Sequence, residues 1–342
     1  MRKYLLPEEG NFYKANLHCH SVMSDGCLTP EELKEAYKAH GYSVLAYTDH
    51  DVFLPHHELT DDSFLALSGF EMEINAPETG YYGERKCCHV CLVALEPDKI
   101  VQPMWHRSDY LFAGAVTHRD EVVFDPEQPD YVRRYSGEGI SEIMKIGRDN
   151  GFFVTYNHPV WSLEDSGDYM NYHGMHAMEI YNHGCYVAGF EEYNGNAYDH
   201  MLRGGEKIYC IATDDNHNGA PFDTPDCDSF GGYIMIKAPK LEYRTITKAL
   251  EEGSFYSSEG PEIRSVWFED GVLHVETGPV VRIAYIYNDR ANINDLASPG
   301  QFLTSGSVRV PENCGYVRIS CTDEHGRHAD TNAYFIKDLY GR

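Results

Sequence analysis

Residues 16–21 read Asn16-Leu17-His18-Cys19-His20-Ser21. In a β-strand, residues two apart project to the same face, so His18 and His20 would point together while Cys19 points away. Two neutral imidazoles on one side of a strand supply half of a metal site, and each needs an acceptor for its second ring nitrogen. Alone the pair is a weak signal, because two polar residues near a strand end give the same pattern.

Later segments repeat one arrangement, in which an apolar run typical of a buried strand adjoins a polar residue suited to metal binding. Residues 42–47 lead to His50, residues 64–70 to Glu71, residues 152–156 to His158 and residues 207–213 to Asp215 and His217, and His89 precedes the apolar run 90–95. Polar side chains at the carboxyl ends of strands are typical of the active-site face of a barrel. The sequence therefore predicts one site assembled from many strands.

Helix signals lie between these strands. Thr29 can cap a helix that begins at Pro30, and the two glutamates that follow favour the positive end of the helix dipole. A second helix is predicted from Ser141 to Asn150, with Gly151 as its stop signal. Strands that alternate with helices indicate a parallel α/β architecture.

Taken in order, the motifs match a known set. They are His18-Cys19-His20-Ser21, Ser24-Asp25-Gly26, Pro30-Glu31-Glu32-Leu33, Thr48-Asp49-His50-Asp51, Gly69-Phe70-Glu71, Asn157-His158-Pro159 and Asp215-Asn216-His217. This series resembles the polymerase and histidinol phosphatase (PHP) superfamily over approximately residues 10–258. The resemblance implies a distorted (β/α)7 barrel that holds two or three divalent ions at the carboxyl ends of its strands, usually for phosphoester hydrolysis.

The resemblance also implies which side chains bind the ions. One ion would take His18, His20, Glu71 and Asp215, a second Glu71, His89 and His158, and a third Asp25, His50 and His217. The sequence departs from the family pattern at Asn16, where an Asp is common, and at Asn157, where Ala often precedes His-Pro. Neither residue is an expected ligand, so these departures concern the hydrogen bonds around the metal site.

The donor types agree with this expectation. A donor set of imidazoles and carboxylates without thiolates is typical of a Zn, Mn or Fe site. It differs from a structural zinc site, which is rich in cysteine. Three divalent ions would outweigh the charge of the three carboxylates, so an anion such as phosphate would complete the site. In such a cluster a bridging water is acidified to become the nucleophile, and the ions stabilise charge that develops on the phosphoryl oxygens.

Composition limits the partners. The formal net charge is −26, which disfavours binding to a nucleic acid polymer, because such binding relies on Lys and Arg contacts to phosphates. The sequence has no apolar run long enough to span a bilayer, and its start is too short and too acidic for a secretory signal. We interpret the ten cysteines as reduced, mostly buried thiols of a cytoplasmic protein.

Near residues 253–261 the pattern changes from strands that alternate with helices to a series of short strands, which predicts a domain boundary. Residues 1–258 would form the metallohydrolase barrel, with an insertion at about residues 100–137. Residues 259–342 carry alternating short strands around an Asp270-Gly271 turn and predict a small all-β, sandwich-like accessory domain.

Three further residues are candidates for the site. His118 and Arg119 in the insertion could hold a substrate phosphate, or Arg119 could simply neutralise nearby acidic residues. His183 ends an apolar strand and could donate a proton to the leaving group, or be a hydrogen-bonded loop histidine. The oligomeric state, the substrate and the native metal are not predicted.

The leading functional hypothesis is a metal-dependent phosphomonoesterase that acts on a small phosphorylated metabolite. A carbamate, ester or amide hydrolase could use the same metal centre, since an activated water attacks carbonyl carbon as well as phosphorus. A glycan-binding protein with structural metals is the third hypothesis. It fits the sequence less well, because structural sites need no open coordination position.

Overall fold

The computed structural model describes residues 2–77 and 82–341. The elements up to residue 187 are β1 (Lys3–Tyr4), β2 (Asn11–Asn16), α1 (Pro30–Ala39), β3 (Val44–Tyr47), β4 (Leu65–Asn75), β5 (Cys87–Ala94), α2 (Gly137–Asp149), β6 (Phe152–Asn157), α3 (Ser166–Tyr169), β7 (Ala177–Asn182) and α4 (His183–Val187). Short 3-10 helices cover His57–Leu59, Tyr82–Glu84 and Ala113–Glu121.

The remaining elements are α5 (Gly195–Gly204), β8 (Tyr209–Thr213), β9 (Tyr233–Ala238), α6 (Tyr243–Glu251), β10 (Phe255–Ser258), β11 (Ile263–Glu269), β12 (Val272–Val280), β13 (Arg282–Tyr287), β14 (Ile293–Leu296), β15 (Leu303–Arg309), β16 (Tyr316–Thr322), β17 (His328–Thr331), β18 (Tyr334–Phe335) and α7 (Ile336–Leu339). Among the residues that the structure describes, no helix has both the length and the apolar character needed to cross a membrane.

The helix signals are borne out. Thr29 caps α1 through a capping box, since its hydroxyl accepts from the Glu32 N–H and the Glu32 carboxylate accepts from the Thr29 N–H. The second helix begins earlier than predicted, at residue 137, because Ser136 is its cap and accepts a hydrogen bond from the Gly139 N–H. Gly151 follows with a φ of 81°, which a glycine adopts without strain.

One large sheet orders its strands β14-β13-β16-β17-β10-β9-β2-β3-β4-β5-β6-β7-β8, with β18 beside β16. β2, β3 and β4 are parallel to one another, as are β6, β7 and β8. The predicted parallel α/β architecture is interrupted at β5, which runs antiparallel to both β4 and β6, and β9 is antiparallel to β2. Only residues 76–86 connect β4 to β5, and a parallel connection needs a dozen residues or more.

The two flanks of the strand run from β2 to β8 approach each other just beyond the strand ends. The Asp215 N–H donates to the His18 carbonyl at 3.0 Å, and the His20 N–H donates to the Asn216 carbonyl at 3.1 Å. These backbone hydrogen bonds place residues from the two outer strands of the run side by side. The fold is thus mixed α/β, with its strand ends converging at one edge.

The C-terminal part is built mainly of antiparallel strands. β11, β12 and β15 form a second sheet, to which β1 from the N-terminus adds an edge strand. The Asp270-Gly271 turn joins β11 to β12, with φ values of 51° and 81° at its two residues. β10 pairs with β9 on one side and with β17 on the other, so the large sheet continues without a break across residue 258.

Candidate metal centre

The predicted ligands converge because of the strand directions. His18 and His20 follow β2, His50 follows β3, and Glu71 lies in β4. His158 follows β6, and Asp215 and His217 follow β8. His89 lies near the beginning of β5, and because β5 is antiparallel to its neighbours, its beginning faces the edge where the other strands end. The reversed strand therefore completes the site.

Four side chains bring their donor atoms together in one buried group. The Nε2 atoms of His18 and His20 are 3.1 Å apart, and Asp215 Oδ1 lies 3.1 Å from the first and 3.0 Å from the second. Glu71 contributes Oε1 at 3.1 Å from His18 Nε2 and Oε2 at 3.4 Å from His20 Nε2. Ligands about 2.0–2.1 Å from one tetrahedral zinc ion stand roughly 3.3 Å apart. The group thus has the spacing of a metal site.

Glu71 also faces the second predicted set. Its Oε1 lies 3.2 Å from His89 Nδ1 and 3.5 Å from His158 Nε2. Its Oε2 lies 3.4 Å from His50 Nδ1. A compact group of donor atoms here combines Glu71 and His89 with His50, which the family resemblance assigns to another ion. One carboxylate therefore connects donors from four strands.

The third predicted set surrounds Asp25. Its carboxylate lies 3.4 Å from His217 Nε2, 3.8 Å from His50 Nε2 and 3.7 Å from His20 Nδ1. The side chains of Asp25 and His217 are 28% and 37% exposed. This group is looser and more open to solvent than the group around Glu71.

Several buried polar atoms at the centre have no hydrogen-bond partner among the described residues. They are His20 Nδ1, His50 Nδ1, Glu71 Oε2 and His89 Nε2. Such atoms are rare in folded proteins, because leaving a buried donor or acceptor unpaired is costly. Bound cations would satisfy Glu71 Oε2 and imidazole nitrogens of this kind, so the residues present fit a cluster of divalent ions.

The charges of the metal-free cluster are mutually dependent. Burial lowers the pKa of His20, but Asp215 and Glu71 outweigh it and raise the pKa to about 10. Burial opposes ionisation of Glu71 too, yet the neighbouring imidazoles, led by His18, hold its pKa well below the usual range. By contrast, burial and the charge of His20 lower the pKa of His50 to about 3. Metal ions would have to displace protons from this cluster.

Glu179 is a further candidate residue of the site, and the sequence motifs did not include it. Its buried carboxylate contacts His18 Nδ1 at 2.7 Å and accepts from Thr213 Oγ1 at 2.6 Å, from the His158 N–H at 2.9 Å and from Asn182 Nδ2 at 2.9 Å. A carboxylate on the outer nitrogen of a ligand histidine fixes its tautomer and orientation. The available signal was a glutamate in the otherwise apolar strand β7.

The two departures from the family pattern both contact the site. Asn157 Nδ2 donates to Glu71 Oε1 at 2.8 Å. Asn16 binds the turn after β2, where its Oδ1 accepts from the backbone N–H groups of His18 and Asp214 at 3.2 and 3.1 Å. These amides hold ligand-bearing backbone and a ligand carboxylate in place.

The structure does not bring His118, Arg119 or His183 into the cavity at the centre. His118 Nδ1 contacts Glu121 Oε1 at 2.8 Å, and Arg119 donates to the backbone carbonyl of Arg107 at 2.5 Å. The Nδ1 of His183 pairs with the Tyr181 hydroxyl at 2.9 Å. Their predicted roles in substrate contact and proton transfer gain no support from this placement.

A cavity of about 470 Å³ opens above the ligands. Its lining residues are Asp25, His50, Glu71, Glu73, His89, Phe112, His158, Trp161, Gly184, Cys185, Val187, Ala188, Asp215, His217, Gly219, Ala220, Asp226 and Asp228. Trp161 packs against the rings of His89 and His158 at 5.2 and 5.1 Å, and Phe112 lies 5.0 Å from the ring of His50. The cavity thus combines the ligand cluster with two aromatic side chains.

The chain is similar to several solved structures and, over a short segment, to one curated protein. A two-domain protein from Bacteroides vulgatus, described as containing a PHP-like metal-dependent phosphoesterase, is 14% identical, with a TM-score of 0.45 and 94% of each chain covered. A structure from Bifidobacterium adolescentis, described as a metal-dependent phosphoesterase, is 17% identical, with a TM-score of 0.37 and coverage of 62% of this chain and 91% of that one.

An amidohydrolase from Chromobacterium violaceum is 17% identical, with a TM-score of 0.39 and coverage of 70% of this chain and 96% of that one. A 5'-3' exoribonuclease from Haemophilus influenzae is 55% identical over 38 residues, which span 11% of this chain and 14% of that relative's length. No protein-family model matches the chain. These likenesses do not identify a substrate for this chain.

Proposed function

We propose that this protein is a metal-dependent phosphomonoesterase for a small phosphorylated metabolite, built on a distorted barrel formed by the strands from β2 to β8. The observation that carries the proposal is the convergence of His18, His20, Glu71 and Asp215 beneath an open cavity, where the carboxylate oxygens lie 3.0–3.4 Å from the histidine nitrogens. Two or three divalent ions, Zn, Mn or Fe, would acidify water and polarise phosphoryl oxygens when bound there.

The chain's own residues would keep the donor atoms in fixed positions. Glu179 accepts from the outer nitrogen of His18, so the inner nitrogen of that ring faces the centre. Asn157 donates to Glu71, and Asn182 Nδ2 donates to Asp215 Oδ2 at 3.1 Å. Groups held in place before the substrate arrives need little reorganisation during the reaction, which lowers the barrier.

The cavity supports a small substrate. A volume of about 470 Å³ lies within the range of sites that bind single small molecules. A nucleic acid polymer is not the proposed substrate, because the net charge of −26 would repel its phosphates. We propose a cytoplasmic location without membrane attachment, in keeping with the reduced thiols expected for ten cysteines.

The test measures bound metal and turnover together. Gently purified protein is analysed for metal content and assayed with an aryl phosphate, and His20→Ala is measured beside it. The matched control is His325→Ala, which changes an exposed histidine in the C-terminal part. We expect metal and phosphate release in the wild type and the control, with both strongly reduced in His20→Ala.

Two other results would contradict the proposal. Bound metal with hydrolysis of esters or amides, but without phosphate release, would favour a carbonyl hydrolase on the same centre. Equal metal content and equal turnover in His20→Ala and wild type would show that this cluster is not the active centre.

A further inference from the structure

The cavity has a distinctive charge distribution. Beyond the expected ligands, its lining includes the carboxylates of Glu73, Asp226 and Asp228. Among the described residues that line it, none is Lys or Arg. Sites for strongly anionic ligands usually carry guanidinium or ammonium groups. The outer wall of this cavity has the opposite charge.

These three carboxylates are held differently. Glu73 follows Glu71 by two residues on β4, and its Oε2 lies 3.6 Å from His89 Nε2. Asp228 accepts from the backbone N–H groups of His217 and Asn218 at 2.7 and 3.0 Å. Asp226 is exposed, and no described residue hydrogen-bonds or ion-pairs with it. Asp226 is therefore free to face a ligand in the cavity.

Two other observations indicate what the cavity receives. Glu71 Oε2 is buried at its floor without a hydrogen-bond partner, which indicates that cations bind there. Trp161 contacts the ring of His158 edge-on, and Phe112 lies tilted beside the ring of His50, both around this floor. Aromatic faces pack well against the apolar face of a sugar ring and also attract an organic cation. The wall thus suits a neutral or positively charged organic group.

We propose that the cavity selects phosphomonoesters whose organic part carries no second negative charge. The inference rests on the proposed function. The ions and their ligands would form a positive floor that accepts one phosphate, while Glu73, Asp226 and Asp228 surround the part of the substrate that projects outward. A second anionic group would meet these carboxylates without a compensating cation, and like charges at such distances repel.

The experiment compares three phosphate esters with the metal-loaded enzyme. Glycerol 3-phosphate ends in a neutral hydroxymethyl group, 3-phosphoglycerate replaces that group with a carboxylate, and phosphocholine carries a quaternary ammonium. We expect kcat/KM for 3-phosphoglycerate to be at least about tenfold below that for the other two. The difference should shrink as salt is added, because salt screens the exposed carboxylates.

A matched pair of variants tests the cause. Asp226→Asn should reduce the ratio of kcat/KM between glycerol 3-phosphate and 3-phosphoglycerate by about threefold to tenfold. Asp223→Asn makes the same charge change in the same loop at an exposed residue outside the cavity lining, and it should leave the ratio within about 1.5-fold. Both positions are exposed, so both variants should fold.

The outcomes separate this inference from the function on which it rests. Hydrolysis of all three esters with similar kcat/KM would overturn the inference and leave the phosphomonoesterase proposal standing. A large preference that is equal in wild type and Asp226→Asn would refute the role of this carboxylate. Failure to hydrolyse any phosphate ester would refute the proposed function and the inference with it.

Discussion

Replacing Glu179 with glutamine should weaken metal binding without removing any ligand. The carboxylate faces four donors, from His18, Thr213, His158 and Asn182. Each of its oxygens accepts two of them, so a carboxamide in either orientation directs its NH2 group at two donors. Loss of a carboxylate behind a ligand histidine typically lowers metal affinity by about 10–100-fold, or about 1.4–2.7 kcal/mol.

The assay is competition with a chromophoric chelator, with each variant's fold checked by circular dichroism. Glu164→Gln is the matched control, because Glu164 is also a buried glutamate but accepts from Tyr135, Tyr156 and Tyr172. We expect only Glu179→Gln to bind metal more weakly. Metal affinity equal to wild type in a folded Glu179→Gln protein would refute the proposed role of this carboxylate.

Three further predictions concern pH, metal removal and packing. Burial raises the pKa of Glu164 to about 7, so the folded state binds its proton more tightly than the unfolded state. The free energy of unfolding should then fall by about 3 kcal/mol as the pH rises from 4.5 to 7. Urea unfolding at a series of pH values should show a smaller fall over this range in Glu164→Gln. The raised pKa of His20, about 10, makes protons compete with metal, so affinity measured after chelator treatment should increase with pH between 6 and 8. A Cβ on Gly231 would lie 2.2 Å from the His183 ring, so Gly231→Ala should lower the free energy of unfolding by about 1–3 kcal/mol, measured by thermal unfolding. Gly219→Ala is the control, because no atom lies within 4 Å of its new Cβ, and it should lower the free energy of unfolding far less.

Sequence patterns were informative where a residue's neighbours along the chain determine its environment. The strand before Glu71 and the capped helix at Thr29 depend on local periodicity and local hydrogen bonds, and both are present. The ligand histidines were recognisable because each adjoins an apolar strand. The strand ends placed most of them at one edge of the sheet, whereas His89 reaches that edge because β5 is reversed.

Other features depend on contacts between distant parts of the chain. The reversal of β5 follows from the short connection after β4, but hydrophobicity alone does not give the direction of a strand. Glu179 belongs to the site because β7 lies beside β8, which brings Thr213 to it. Arg119 looked suited to phosphate, yet its guanidinium binds backbone carbonyls of its own loop.

β10 lies between β9 and β17 and so joins the two parts of the chain within one sheet. A chain cut after residue 258 would keep the pairing of β10 with β9 but would expose the backbone N–H and C=O groups that face β17, and an open edge of this kind favours association with other strands. The first residues would lose a partner as well, because β1 pairs with β11. The strands after residue 258 therefore cover this edge of β10, and we expect the two parts of the chain to unfold in one cooperative step.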